Sequence, residues 1–333
     1  MKNITVPSYF AASLLKNIPN KNVNYIELLN KNDIRAQVVE NRNARLSVES
    51  FISLQQDITN LMQDEMIGHF EQAMPLGAFS ICCHSLIHST TVGSALERYC
   101  QFYQIVNRGL LPKVAFQKDG VSVILTPQSS SFIYDRYAYE ACLYYIHRLL
   151  NWLSNSFIQP VQANFDYAYP EHAAQYRPLF LGTNVIFDSD RTELIFSASA
   201  MDLPVVQDQQ SLSKFLQNPA YEMAIQGYET SHWSSRVSKL IQRDLKNIPS
   251  LESLAQTLSV HPQTLRRRLK VEGTSFQGIK NNARRDYAIY KLSRTRESID
   301  NISLKAGFSE ISTFFRAFKT WTGVTPTSYR RTD

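Results

Sequence analysis

Gln263, Arg266, Arg267 and Lys270 recur at three- and four-residue spacing, and Leu265 and Leu269 fall between them. That spacing predicts a helix over Gln263 to Val271 that buries its two leucines and projects the polar residues away from them. A guanidinium can pair with guanine O6 and N7 through two hydrogen bonds, and a glutamine amide with adenine N6 and N7. The chemistry on offer is hydrogen-bonded reading of base edges, and Thr264 near the helix start belongs with it. A second copy follows. Matching Leu265 to Phe314 and Leu269 to Phe318 sets an offset of 49 residues. The same offset maps Arg267 onto Arg316, Lys270 onto Lys319, Gln263 onto Ser312 and Arg266 onto Phe315. The second candidate face is thus Ile311, Ser312, Phe315, Arg316 and Lys319. Phe315 is expected to point outward, where an apolar ring can press on a thymine methyl.

Each face needs a helix and a turn ahead of it. Leu251, Leu254, Ala255 and Leu258 mark one amphipathic helix. Ser259-Val260-His261 supplies its turn, and Pro262 suits the first position of the next helix. In the second copy Ile299 and Ile302 belong to the leading helix, Gly307-Phe308-Ser309 is the turn, and Glu310 to Trp321 is the presenting helix. Both units read as helix-turn-helix motifs. Ser275 to Arg296, with Phe276, Ile279, Ala283, Tyr287 and Tyr290 at helical spacing, is expected to join them as one linker helix. About 20 residues span ~30 Å, close to the ~34 Å that separates successive major grooves on one face of B-DNA. One chain then has the reach to read two grooves.

Charge agrees with this division. From His232 onward 19 Lys/Arg face 8 Asp/Glu, a net +11; the first 231 residues carry 16 against 21, a net −5. A basic segment beside an acidic one implies that only the C-terminal part meets a polyanion. No phosphate-binding loop, Gly-x-Gly-x-x-Gly, His-Glu-x-x-His or Gly-x-Ser-x-Gly occurs, so neither a catalytic residue nor a cofactor is expected. Cys82, Cys83, Cys100 and Cys142 lie in apolar stretches without metal-ligand spacing and are read as buried free thiols, with no metal site. Met1 to Lys16 has no sustained apolar run beside a cleavage-type site, and no 18-residue apolar stretch occurs. The expectation is a cytoplasmic protein without a membrane partner.

The N-terminal two thirds mix helices and hairpins. Thr91 caps a helix running to Arg108, and Lys113 to Pro127 reads as a hairpin turning at Asp119-Gly120. Asp135 to Ser156 is a long aromatic-rich helix. A strand is expected at Ala163 to Tyr169 and a short helix at Pro170 to Phe180. A second hairpin pairs Val185–Phe187 with Leu194–Phe196. Tyr137, Tyr144, His147 and Arg148 on the long helix are candidate effector contacts, because a tyrosine offers an apolar body with a polar tip. After Pro204 the chain turns polar around Leu212, Phe215 and Leu216, as a terminal helix or dimer contact followed by a linker.

The C-terminal ~100 residues resemble the DNA-binding domain of AraC/XylS-family transcriptional regulators. The matching motifs are Leu265-Arg-Arg-Arg-Leu269, Glu272-Gly-Thr-Ser-Phe276, Ala288 with Leu292, Gly307-Phe-Ser309, Phe315 through Pro326, and Tyr329-Arg330. In that family both recognition helices enter adjacent major grooves, which the resemblance implies for Gln263–Arg267 and Ile311–Arg316. Ser259 stands where glycine is usual in the turn, His261 where serine is usual at the cap, and Phe315 where a small polar residue is usual. The N-terminal part is similar to the arabinose-binding-type domain of ornithine-utilisation-type regulators through Met74-Pro-Leu-Gly-Ala-Phe79, Ser94-Ala-Leu-Glu-Arg-Tyr99, Pro160 to Phe165, Phe187 and Leu203-Pro204. That resemblance implies effector sensing and dimerisation.

The expected organisation is an α+β sensor and dimerisation domain at 1–210, a linker at 211–231, and an all-α DNA-binding domain at 232–333 with two helix-turn-helix units joined by a linker helix. Expected partners are double-stranded promoter DNA, a small-molecule effector and a second copy of the chain, with RNA polymerase a further candidate. The alternative is a repair enzyme delivered to DNA by the same kind of domain, which would need a metal-bound reactive cysteine cluster.

Overall fold

The computed structural model describes residues 4–19, 23–41, 43–117, 120–173, 176–225 and 233–330. The chain forms two units, Asp57–Gln226 and a second built from Met1–Gln56 together with Gly227–Asp333.

The Asp57–Gln226 unit is an α+β domain. Its sheet runs Leu110–Gln117, Gly120–Pro127, Glu193–Ser197, Gln162–Asn164, Asn184–Ile186, antiparallel except for the last pair. Leu110–Gln117 is an edge strand and tolerates Pro112, which has no N–H for a neighbour. The first expected hairpin forms with Gln117 opposite Gly120; Asp119 at its tip lies outside the described residues. Asp135 caps the long helix Arg136–Ser154 by accepting the Ala138 N–H. Leu143, Ile146, Leu149 and Leu153 from that helix share a core with Val123, Leu194 and Phe196 from the sheet. Thr91 and Ser94 form a reciprocal capping box on the helix Val92–Val106, satisfying donors that the first turn leaves open.

The second expected hairpin does not form. Gln162–Asn164 lies between the two strands, parallel to Asn184–Ile186 and antiparallel to Glu193–Ser197. Burial explains the order. Ala163 is fully enclosed and suits the interior, whereas Asn184 and Ile186 are exposed and suit an edge. The connecting segment crosses the end of the middle strand instead of turning tightly, and Ser189 N–H donates to the Phe165 carbonyl at 3.0 Å. Of the expected strand at 163–169 only residues 163 and 164 lie in a strand, Gln162–Asn164, and among the described residues of the expected helix at 170–180 the α-helix is Tyr176–Leu179.

The other boundaries also differ from expectation. Helices Gln209–Phe215 and Pro219–Ile225 occupy most of the segment read as linker. Leu212, Phe215 and Met223 join the core of the α+β unit, and Phe215 stacks on Trp152 at 4.2 Å. Residues 226–231 of that linker lie outside the described residues. At the other end, the N-terminal segment belongs to the basic unit. Thr5–Pro7 pairs with Arg45–Ser47, and Ile34, Val38 and Leu46 line one narrow crevice with Ile289 and Tyr329. Polar contacts lock this packing. Arg294 meets Asp33 at 2.7 Å, Thr5 Oγ1 donates to Asp286 at 2.7 Å, and the Arg45 N–H donates to the Tyr329 hydroxyl at 3.0 Å. Residues 233–330 themselves are all-helical.

Candidate nucleic-acid interface

In the first motif, Ser250 caps the helix Leu251–Thr257 and His261 caps the recognition helix Pro262–Val271, its Nδ1 accepting the Gln263 N–H at 3.3 Å. Ser259 turns the chain between them with φ +54°, a left-handed conformation that glycine adopts at lower cost. Leu265 and Leu269 are fully buried against Val237, Ile241, Leu254 and Ala255, each contributing about 2 kcal/mol. On the opposite side Gln263, Arg266, Arg267 and Lys270 are exposed. With half-buried Thr264 they line one open surface depression. The structure therefore brings all five expected residues of the first face together.

The three successive arginines have different surroundings. Arg266 reaches back to Glu252 on the preceding helix at 3.0 Å. Arg268 lies over the Trp233 ring at 4.1 Å, and Arg236 approaches the same ring at 4.5 Å. Arg267 is exposed on the same surface as Lys270. Glu272, just past the helix, accepts the Trp233 and Ser234 N–H groups at 2.8 Å each. A carboxylate there satisfies open donors and the positive end of the helix Trp233–Arg243. Arg268 and Glu272 thus hold the recognition helix to its neighbour. The sequence pattern leaves Arg268 out of the outward face, and its spacing of three from Leu265 agrees with its inward lean; the pattern does not show the contact with Trp233.

In the second motif, Ser298 caps Ile299–Lys305, Gly307 turns at φ +80°, and the recognition helix Ile311–Thr322 ends at Gly323. Phe314 and Phe318 are fully buried, and Phe318 meets Tyr329 edge-on at 5.2 Å. Ile311, Ser312, Arg316 and Lys319 are exposed. Phe315 is half-buried with its ring edge-on to Phe314 at 6.2 Å, so it points outward less than its match to Arg266 implies. The linker helix Phe276–Arg294, capped by Ser275, ties the motif in place. Its Arg284 donates to the Gly307 carbonyl at 2.8 Å and covers the Phe308 ring at 4.9 Å. Burial pushes the Arg284 guanidinium below its ordinary range. At 19 residues the helix is about 28 Å long.

Of the four expected effector contacts, Tyr144 and Arg148 lie together, whereas His147 and Tyr137 pack on other partners. His147 is fully enclosed, its Nε2 donating to the Ile158 carbonyl at 2.7 Å, and burial lowers it to about 3. Arg148 is buried, donates to the Leu179 carbonyl at 3.1 Å and lies 5.1 Å from the Tyr144 ring. Tyr137 packs on His69 at 4.6 Å. The four cysteines are free thiols, and burial raises Cys100 and Cys142 to about 12. Among the described residues no group of His, Cys, Asp and Glu is arranged to hold a metal ion, and no helix is long and apolar enough to cross a membrane.

A basic unit presenting two recognition helices, carried on the same chain as an α+β domain, defines a two-motif DNA-binding regulator. The model of the arabinose-binding N-terminal domain of AraC transcription regulators matches residues 24–205, and that of a helix-turn-helix domain matches residues 254–332. The chain belongs to the AraC family of transcriptional regulators, with an effector-binding N-terminal domain and a helix-turn-helix DNA-binding domain. It is similar to the ornithine utilization regulator of Pseudomonas aeruginosa, with 25% identity over 98% of this chain and 96% of that one. It is also similar to an uncharacterized HTH-type transcriptional regulator of Mycobacterium tuberculosis, 43% identical over 28% of this chain and 27% of the relative. Among solved structures it resembles the transcriptional regulator CdpR from Pseudomonas aeruginosa, at 18% identity over 98% of this chain and 97% of that chain, with a TM-score of 0.34.

Proposed function

We propose that this regulator reads its operator unequally through its two motifs. Gln263, Thr264, Arg266, Arg267 and Lys270 supply polar contacts in one major groove. Ile311, Ser312, Phe315, Arg316 and Lys319 supply a more apolar set in the next. Arg267 and Arg316 are the principal guanine readers, while Lys270 and Lys319 meet phosphates and give binding its salt dependence. The observation carrying this reading is the exposure of Arg267 and Arg316 at matched positions, each opposite a fully buried apolar pair. Arg266 releases Glu252 to reach DNA; that ion pair is exposed on both sides and holds it weakly.

The protein acts in the cytoplasm as a homodimer without catalytic activity of its own. A small molecule bound by the α+β unit shifts the population of DNA-competent dimers, which requires unequal affinity for the two states. RNA polymerase is the further partner of the DNA-bound form. The test is operator affinity at fixed salt. Arg267→Ala and Arg316→Ala should each lose ~1–3 kcal/mol on the specific site, with little change on unrelated DNA. Unchanged specific affinity in both variants would remove the assigned faces.

A further inference from the structure

Glu140 lies in the second turn of the helix Arg136–Ser154 and is only 1% exposed. Its Oε1 accepts from the Tyr176 hydroxyl and lies 3.1 Å from His172 Nε2. Its Oε2 is buried with no hydrogen-bond partner among the described residues. An ionised carboxylate in such a place is costly unless it is paired, and burial raises Glu140 above the usual carboxylate range. The surroundings are aromatic. The Tyr176 ring meets Phe165 at 5.0 Å and Phe187 at 5.1 Å, and its hydroxyl lies 3.0 Å from that of Tyr167. Tyr139 stands 6.2 Å from Tyr167, and His172 stacks on Tyr176 at 5.5 Å. Among these partners the His172 side chain is 16% exposed, whereas Tyr176 is 1% exposed. Of Glu140's two hydrogen-bonding partners among the described residues, His172 is the one that reaches solvent.

A buried carboxylate with one oxygen unpaired favours a cation, which gains an ion pair there; the nearby Tyr167 ring already carries Arg136 at 5.5 Å. We propose that Glu140, beside Tyr176 and His172, is the recognition point for a primary or secondary ammonium group of the effector. The ammonium takes Oε2, the oxygen left without a partner among the described residues. This assignment rests on the reading that the α+β unit binds a small molecule, and it narrows that molecule to a cationic amine.

Calorimetric titration of the full chain tests it, with butylammonium chloride and 1,4-diaminobutane as probes and 1-butanol and butyrate as controls. The amines are expected to bind at one site while the alcohol and the acid do not. Glu140→Gln should weaken amine binding by at least tenfold while the variant keeps its circular dichroism and its affinity for DNA. Equal binding of amine and alcohol, no amine binding, or full amine affinity in Glu140→Gln would each overturn the site. Should Glu140→Gln fail to fold, Glu140→Asp, which draws the carboxylate back by one methylene, replaces it, and undiminished amine affinity there counts against the site in the same way. DNA affinity with and without amine is measured separately. Glu140-dependent amine binding that leaves DNA affinity unchanged supports the site and removes effector control instead.

Discussion

Replacing Gly307 by alanine strikes the turn that positions the second recognition helix. The residue sits at φ +80°, where an L side chain costs about 1–2 kcal/mol. Space is the larger obstacle. A Cβ built there falls 2.3 Å from the Leu245 carbonyl oxygen and 2.8 Å from Arg284 Nη2. The first is backbone and must move bodily. The second is the guanidinium that donates to the Gly307 carbonyl at 2.8 Å, a charge-assisted bond of about 1.5–3 kcal/mol. The stiffer unfolded chain of the alanine variant recovers about 0.4–1 kcal/mol. The net expectation is a loss of about 3 kcal/mol. Gly323→Ala is the control. Its φ is nearly the same at +75°, but its added Cβ meets the amide end of the Asn41 side chain at 2.9 Å, which can rotate away. That variant should lose about 1 kcal/mol. Hydrogen exchange of amides between 233 and 330 in the full chain, followed against urea, measures both. Equal losses in the two variants would refute the claim that backbone crowding by Leu245 sets the cost.

Two further outcomes follow from packing and burial. Arg268→Ala should reduce the stability of the basic unit by about 1 kcal/mol through lost contact with Trp233, and leave base preference intact. A change in preference at any operator position would make Arg268 a reader. His147 titrates at about 3 in the fold against an ordinary value of 6.5. Between those values the unfolded chain binds the proton and the native one does not. Its contribution is therefore fully present above pH 6.5 and is lost as pH falls toward 3, at up to about 1.4 kcal/mol per pH unit. Glu65 and Glu140, raised by burial in the same unit, act in the opposite sense as they take up protons. The measurement is thus the difference between wild-type and His147→Gln melting profiles, which should diverge below pH 6.5. Parallel profiles would show that His147 takes up a proton in the folded state as readily as in the unfolded chain.

The two-motif half of the chain was legible because its information is local. Caps, turns and buried pairs recur within short windows, and Leu265 with Leu269, then Phe314 with Phe318, declare their inward faces directly. What local pattern does not carry is pairing across long separations. Nothing in the short helix Ala36–Glu40 or in Arg45–Ser47 signals a partner near Tyr329. The arabinose-binding-domain match beginning at residue 24 likewise extends over residues that pack with the basic unit. The misread hairpin has the same origin. Two short β-like runs flanking Asp188-Ser-Asp-Arg191 satisfy a hairpin pattern equally well whether or not a third strand comes between them. Glu140 was visible in retrospect, as the lone carboxylate between Asp135 and Asn155 in an aromatic helix.

Base preference tests the unequal two-groove reading most directly. Selection of bound sequences from a randomised pool, by the full-length protein and by Arg267→Ala and Arg316→Ala, should yield two preferred segments about 10–10.5 base pairs apart. Arg267→Ala should relax one segment alone and Arg316→Ala the other, with the larger loss of affinity in Arg267→Ala. A single preferred segment, or both substitutions relaxing the same positions, would contradict it.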